Sequence, residues 1–523
     1  MSLLARLPRP TVLEWCALVI GAALVVRYAW VLDDAFIYAR YADNATLMRV
    51  GLVYNAGEYV EGFSSPAWML WVLGLRALGL SFWHIFVGSG LAAFALFWWL
   101  VVRVDATLSR DRRRLGLVVA YLAVNYAVTS WFTSGMETSL IQLVAAGYAL
   151  HFVLPRDRLG QLLVGLSPPV RPELLVALAV VVLHGAVRRR LPRLAVAVAA
   201  LTGAAWLGFR VYYYADLLPT TFYLKDAPNP RQGLHYAVNA FFTYHLELVL
   251  LAGVVCLVRA RRRVPGLAVD WEPRILMLVA CVPVTAYVIR IGGDAIHYRY
   301  LAFPFCLAVC SAAGAVEAWL STLSSRPRRW AYPVLGVGVT ALSFALQPPQ
   351  RSRHAIFGPG PQTQVHDISD PDFHRVRSQL HRVAVTDLQI AEKAAIGRDP
   401  GRFVYIRTVA HDWCASNYQL FDHRIVHSLG LTDPILARAR VPSGRPGHKY
   451  ALRPLAQGLA RLHRSAGKPG PGMARRMVEA GDAPLWLAHN LDAIELIERK
   501  TYNTHDLGEN LRLAFTFPPP IIP

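Results

Sequence analysis

The chain alternates apolar stretches of membrane-spanning length with short arginine blocks, and few folds accept that pattern. A spanning helix needs roughly 20 mostly apolar residues, and Thr11 to Leu32 is the first such stretch. Arginine blocks at Arg110 to Arg114, Arg156 to Arg158, Arg188 to Arg193, Arg259 to Arg263 and Arg326 to Arg329 punctuate the rest. Cytoplasmic loops of membrane proteins concentrate Lys and Arg in this way. The blocks therefore account for the formal net charge of +20 without nucleic acid, the partner such a charge otherwise suggests. Composition agrees, with 54% hydrophobic and only 17% charged residues, against about 25% charged in soluble domains. The shortage of charge ends near residue 347. The expected organisation is a transmembrane domain over 1–347 and a soluble domain over 348–523.

Threading follows from the charges. Arg6 and Arg9 place the start of the first span in the cytoplasm, and that span is too long for a removable signal. Further spans are expected at Phe82 to Val102, Leu115 to Trp131, Thr138 to Leu154, Leu194 to Arg210, Tyr236 to Val258, Ile275 to Arg290, Tyr300 to Leu320 and Ala331 to Leu346. Leu159 to Val187 reads as two short helices broken at Pro168-Pro169 and Pro172, which is tolerated at membrane depth only beside protein or a wet cavity. The sum is about eleven spans. Pro66 to Leu80 is apolar but short. If it crossed, every later arginine block would face outward, so it is expected along the outer interface. All conspicuous polar clusters then fall on one extracytoplasmic side, together with the tail. The expected location is the plasma membrane, multi-pass.

The first outer loop opens with the acidic pair Asp33-Asp34 and continues to Asn44. Asp33, Ile37, Arg40 and Asn44 share a helical face. Tyr41, Asn55, Glu58 and Glu61 add polar and aromatic groups. Adjacent carboxylates at a membrane boundary raise one another's pKa and can serve as general base for a hydroxyl. The plainer reading is a solvated helix end. A second cluster, Arg210 to Asp226, interleaves aromatics with cations. Tyr223 could stack on a sugar ring, and Arg210 and Lys225 could hold phosphate, although aromatics at an interface are also ordinary belt residues. A third, Gly292-Gly293-Asp294-Ala295-Ile296-His297-Tyr298-Arg299, suits an anion at a helix start, or else a glycine turn with an N-cap. Ser134-Gly135-Met136-Glu137-Thr138 reads as a helix cap. Arg171, at the broken helix, needs an anionic partner, a ligand or Glu173. Converging cations beside a carboxylate suggest a lipid-phosphate ligand. A polyprenyl phosphate leaves readily without a general acid.

Asp33 to Trp68, with Asp-Asp-Ala-Phe, Arg-Tyr-Ala, Gly-Leu-Val-Tyr-Asn and Val-Glu-Gly-Phe-Ser-Ser, resembles the GT-C glycosyltransferases. Within that superfamily it resembles the terminal arabinofuranosyltransferases of mycobacterial cell-wall assembly and their bacterial relatives. The resemblance continues through Arg210 to Lys225, Gly292 to Pro304, Leu429 to Pro434 and Pro446 to Lys449. It departs at His427, at His448-Lys449 and at Ser-Pro-Pro-Val before Arg171. It implies a mainly α GT-C fold and transfer of a sugar, with arabinofuranose as the candidate, from a polyprenyl-phosphate donor to a cell-envelope glycan. It implies a catalytic Asp33 or Asp34, and a donor phosphate held by cations on later outer loops. The candidates for those cations are Arg171, Arg210, Lys225, His297 and Arg299. Arg40, Tyr41, Asn55, Glu58, Glu61, Tyr223 and Asp294 are the candidate substrate contacts. It implies that Pro66 to Leu80 is a juxtamembrane helix.

The tail reads as an α/β domain, with strands at Arg402 to Val409 and Arg424 to Leu431 and an amphipathic helix at Leu485 to Glu498. Of six cysteines, only Cys414 lies in it, so it forms no internal disulfide. His411, Asp412, Asp422, His423 and His448 match no ligand spacing. The sequence requires no cofactor and leaves a divalent metal open. The rival is a lipid or glycolipid flippase, which predicts ionisable residues deep within spans and an internal repeat. Neither is evident in the sequence.

Overall fold

A computed structural model of the chain describes residues 9–32, 34–109, 114–225, 228–265, 267, 269–294, 298–323, 334–335, 337–338, 341, 405–409, 423–427, 430–440, 459, 470–481 and 483–522. Asp33, His297, Cys414, His411, Asp412, Asp422 and His448 lie outside the described residues, as do most of Ala331 to Leu346 and the expected domain boundary at 347.

The described part is mainly helical. It runs α1 (Val12–Arg27), α2 (Ala35–Thr46), α3 (Pro66–Ala77), α4 (Ser89–Ser109), α5 (Leu117–Val124), α6 (Tyr126–Thr129), α7 (Thr138–Val153), α8 (Arg158–Gly165), α9 (Ser167–Val170) and α10 (Leu175–Val187). It continues with α11 (Arg193–Tyr214), α12 (Thr220–Leu224), α13 (Pro230–Thr243), α14 (Leu246–Arg263), α15 (Trp271–Arg290), α16 (Ala302–Ser311) and α17 (Ala315–Leu320). Two parallel strands follow, β1 (Tyr405–Val409) and β2 (His423–His427), with Tyr405 opposite His423. The chain closes with α18 (Pro434–Arg438), α19 (Met473–Glu479), α20 (Leu485–His489), α21 (Leu491–Thr501) and α22 (Leu507–Phe515).

Among the described residues, His84–Ser109, Arg193–Tyr214, Trp271–Arg290 and Arg299–Leu320 are long and apolar enough to cross a membrane. The α13–α14 pair, bent by 60°, makes a fifth if it counts as one span. These helices make the chain a multi-pass membrane protein. The bend falls at His245, whose φ of 50° is left-handed. Leu115 to Trp131 is not one continuous helix. Asn125 is extended and its side chain caps α6, accepting from Ala127 N at 2.9 Å. The break at the proline-rich stretch is present, between α8 and α10.

Contacts divide the chain into two compact units. The first unit comprises Met1–Trp30, Phe86–Leu201 and Pro230–Arg377. Its helices approach through small residues, as membrane helices do. A Cβ on Gly21 would strike the carbonyl of Ala123, and one on Gly90 that of Phe132. Trp30 Nε1 donates to Ser130 O at 2.5 Å. Ionisable groups also lie buried in this unit near the ends of its helices, namely Glu14, Asp105 and Glu317. Arg114 is 2.9 Å from Glu14 and 3.9 Å from Asp105. Asp105 follows the expected span end at Val102, and Glu317 hides within an otherwise apolar stretch, so hydropathy missed both.

The second unit comprises Val31–Ile85, Thr202–Asn229 and Ser378–Pro523. Its C-terminal part packs Val426, Leu436, Met473, Leu487, Ile494 and Ile497 into one apolar core. Asp433 starts α18 by accepting from Ile435 N at 3.0 Å and Leu436 N at 2.9 Å, an N-cap that also tolerates Pro434 at the first helical position. α3 is a 12-residue helix capped by Ser65, too short to span a bilayer.

Candidate active site

The first loop is wound around α2. Every residue from Ala35 to Asn44 is buried, and Arg40, Tyr41 and Asn44 bond to the backbone of the loop. Arg40 Nε donates to Tyr54 O at 2.6 Å, and its guanidinium lies 5.0 Å from the Tyr54 ring centroid. Tyr41 OH donates to Val60 O at 2.5 Å and accepts from Gly62 N at 2.9 Å. Asn44 Nδ2 reaches Val53 O at 2.8 Å and Tyr54 O at 3.0 Å. Gly62 is needed for closeness, since a Cβ there would stand 2.9 Å from Thr432 Cγ2 and 3.0 Å from Tyr41 OH. Arg76 of α3 holds Asp43 at 2.7 Å. Asp34 sits at the start of α2, half-buried, with its carbonyl accepting from Ile37 N at 3.1 Å. The rigid α2 therefore fixes the backbone that carries Asp34.

Beyond this spool, three carboxylates are each paired with at least one cation. Glu58 pairs with Arg424 and accepts from Tyr502 OH at 3.1 Å. Burial pulls the Arg424 guanidinium down, but the charges of Glu58, Tyr502 and Asp433 and the Glu58 hydrogen bond together leave it raised. Asn55 Nδ2 donates to Glu58 Oε2 at 2.9 Å. The same amide extends β2, giving Nδ2 to Ile425 O and taking Ile425 N on Oδ1, both at 3.0 Å. Glu61 is raised by burial and lowered by Arg210, with a net rise. Trp206 Nε1 donates to it at 3.1 Å.

Asp216 is the third. It pairs with Arg438, with Lys500 at 3.5 Å, and accepts from Tyr223 OH at 2.9 Å. The Arg438 guanidinium lies 3.8 Å from the Tyr223 ring centroid, a cation–π contact. Burial lowers Lys500, and the Asp216 charge opposes it. Tyr59, Glu61, Asp216, Arg438 and Lys500 border a shared cavity. Lys225 lies half-buried just after α12.

In the first unit, Arg171 is the hub. Its Nη1 holds Glu137 at 2.7 Å, its Nη2 holds Glu173 at 2.5 Å, and it stacks 4.9 Å from the Tyr300 centroid. Arg299 pairs with Asp294 and stacks 5.1 Å from the same ring. Two guanidiniums thus meet three carboxylates around Tyr300. Gly293 has a φ of +74°, and a Cβ there would be 2.5 Å from Tyr236 Cγ, so only glycine fits.

The expected residues therefore divide. Asp34, Arg40, Tyr41, Asn55, Glu58, Glu61, Arg210, Tyr223 and Lys225 belong to the second unit, and Arg171, Asp294 and Arg299 to the first. Glu137 stands at the expected cap position of α7, yet makes no side-chain cap and holds Arg171 instead. Sequence reasoning missed Asp216, Arg424, Arg438, Lys500 and Tyr502. Asp216 lay within the aromatic cluster and could have been found. The others sit in ordinary strand and helix patterns and carry no local signal. Among the described residues, no group of three or more His, Cys, Asp or Glu is placed to hold a metal ion.

No family model matches the chain. Over 325 residues it is 31% identical to the terminal beta-(1->2)-arabinofuranosyltransferase of Mycobacterium tuberculosis, covering 53% of this chain and 51% of that one. Over 342 residues it is 29% identical to the enzyme of the same name from Corynebacterium glutamicum, covering 53% and 46%. The chain spans about half the length of these curated relatives. A crystal structure of ArnT from Cupriavidus metallidurans bound to undecaprenyl phosphate aligns over 88% of this chain and 81% of that one, at 15% identity and a TM-score of 0.42. By sequence, the chain is similar over about half its length to the terminal arabinofuranosyltransferases.

Proposed function

We propose that this protein is a membrane glycosyltransferase of the GT-C type that moves a sugar from a polyprenyl-phosphate donor to an extracytoplasmic cell-envelope glycan. Arabinofuranose is the proposed sugar, after the names of the relatives. The observation that carries the reading is the similarity to those relatives, together with the place of Asp34. It is a half-buried carboxylate at the head of a helix whose following residues are all buried. A base so placed can take the proton of an acceptor hydroxyl without moving its own backbone. The hydroxyl oxygen then bonds to the anomeric carbon, and the polyprenyl phosphate departs with the bonding pair.

The departing phosphate needs cations. The guanidinium–carboxylate groups at Arg171, Arg210 and Arg299 carry no excess positive charge, so we assign them to holding the loops in shape. Lys225 and His297 are the proposed phosphate contacts. The test is transfer by purified protein in lipid nanodiscs from polyprenyl-phosphate sugars to an oligosaccharide, wild type beside Asp33→Asn and Asp34→Asn. Full activity in both variants would remove the acidic pair from catalysis.

The buried Glu14–Asp105–Glu317 group is the one observation that favours the flippase reading, since transporters keep acids among their helices. Movement of a fluorescent polyprenyl-phosphate lipid across vesicles, lost in Asp105→Asn, together with no glycosyl transfer by wild type, would replace the enzyme reading.

A further inference from the structure

The C-terminal helix α22 has two unlike faces. Asn510, Leu513 and Ala514 are buried. Leu507, Leu511 and Phe515 are exposed at 59%, 49% and 63%, and Phe517 follows at 58%. Residues four apart stack along one side of a helix, so the exposed groups form a continuous apolar stripe. Such a stripe is unusual on a surface bathed in water. Arg512 is exposed beside it.

What lies against the stripe follows from what α22 is tied to. Asn510 Nδ2 donates to Tyr212 O at 2.7 Å, and Asn503 Nδ2 to Tyr213 O at 3.2 Å. Tyr212 and Tyr213 belong to the last turn of α11, whose 22 residues are apolar enough to cross a bilayer. At 1.5 Å per residue such a helix is about 33 Å long, close to the roughly 30 Å of the hydrocarbon core. Its last turn therefore falls at the boundary between acyl chains and head groups. A helix hydrogen-bonded to that turn sits at the same depth. Tyr212, exposed at 45%, is an aromatic of the kind that collects there.

We propose that α22 lies on the bilayer surface, with Leu507, Leu511 and Phe515 among the acyl chains and Arg512 at the head-group phosphates. The occupant of the stripe is lipid. The segment just before α22 carries Lys500 to Asp216 and Tyr502 to Glu58. Lipid contact at α22 thus fixes the far end of the strap that holds the first loop. This surface stands whether or not the glycosyl-transfer reading does.

The test uses full-length protein in nanodiscs of phosphatidylcholine and phosphatidylglycerol that include a phospholipid with a photoactivatable acyl chain. Peptide mass spectrometry maps the adducts. Expected are adducts within 507–517 at a yield comparable to that at Leu201, which is 72% exposed on α11. The triple variant Leu507→Ser, Leu511→Ser, Phe515→Ser should lose them several-fold while keeping those on α11, which shows it is folded. Adducts on α11 with none within 507–517 would overturn the proposal. So would a nanodisc mass of two copies whose cross-links run from α22 to α22.

Discussion

Arg210 forks onto Glu61, with Nη2 3.1 Å from Oε1 and Nε on Oε2, while Nη1 donates to Leu217 O at 2.9 Å. One buried side chain thus clamps the first loop and the turn after α11. Removing it leaves a buried carboxylate without its cation, which costs about 3–5 kcal/mol. Arg210→Ala is expected to lower the melting temperature markedly. Arg210→Met combined with Glu61→Leu should recover much of the loss, because no charge is then stranded. Equal melting temperatures for wild type and Arg210→Ala would refute the clamp.

Asp34→Asn keeps size and loses basicity. It is expected to lower kcat on the order of 10²- to 10⁴-fold, the range for a general base, with little change in melting temperature. Lys225→Ala should instead raise the KM for the lipid donor. The readout is initial rate against donor concentration in nanodiscs.

Glu498 offers a pH test. Its Oε1 accepts from Ala474 N at 2.9 Å, and burial pushes its carboxyl up to about 7 from an ordinary 4.5. The folded state therefore holds this proton more tightly than the unfolded one. Its contribution is full below pH 4.5 and is lost as pH rises to about 7, by up to on the order of 3 kcal/mol. Exchange of the Ala474 amide with deuterium should speed up between pH 5 and 7.5 beyond the intrinsic rise. In Glu498→Gln that excess should vanish.

The Asn55 amide makes one bond to Glu58 and two to β2. Asn55→Ala leaves the Ile425 groups buried and unpaired, at about 1–3 kcal/mol. Asn55→Asp should be worse, because a carboxylate would face both Ile425 O and Glu58. Unfolding in denaturant, compared among the three proteins, checks the order.

Much of this was legible in the sequence where the signal was local. Apolar length and arginine blocks marked the membrane character, the proline run marked the break between α8 and α10, and the short apolar stretch from Pro66 marked α3. Hydropathy could not foresee that Asn125 would interrupt an apolar stretch, since an extended residue with a capping amide costs little hydrophobicity. The partners of the loop carboxylates were hidden for a different reason. Arg424, Arg438 and Lys500 look like any surface cation until the fold buries them. Nothing in the spacing from Glu58 to Arg424 records that they meet.

That spacing has a consequence for the order of events during synthesis. Asn55 waits for Ile425 across 370 residues, roughly 20–70 s at about 5–20 residues per second. For that interval the first loop is already made while the groups that will seal it do not yet exist. Glu58 must spend it hydrated or held by a chaperone, and a ribosome that stops short of residue 424 leaves a loop that cannot close.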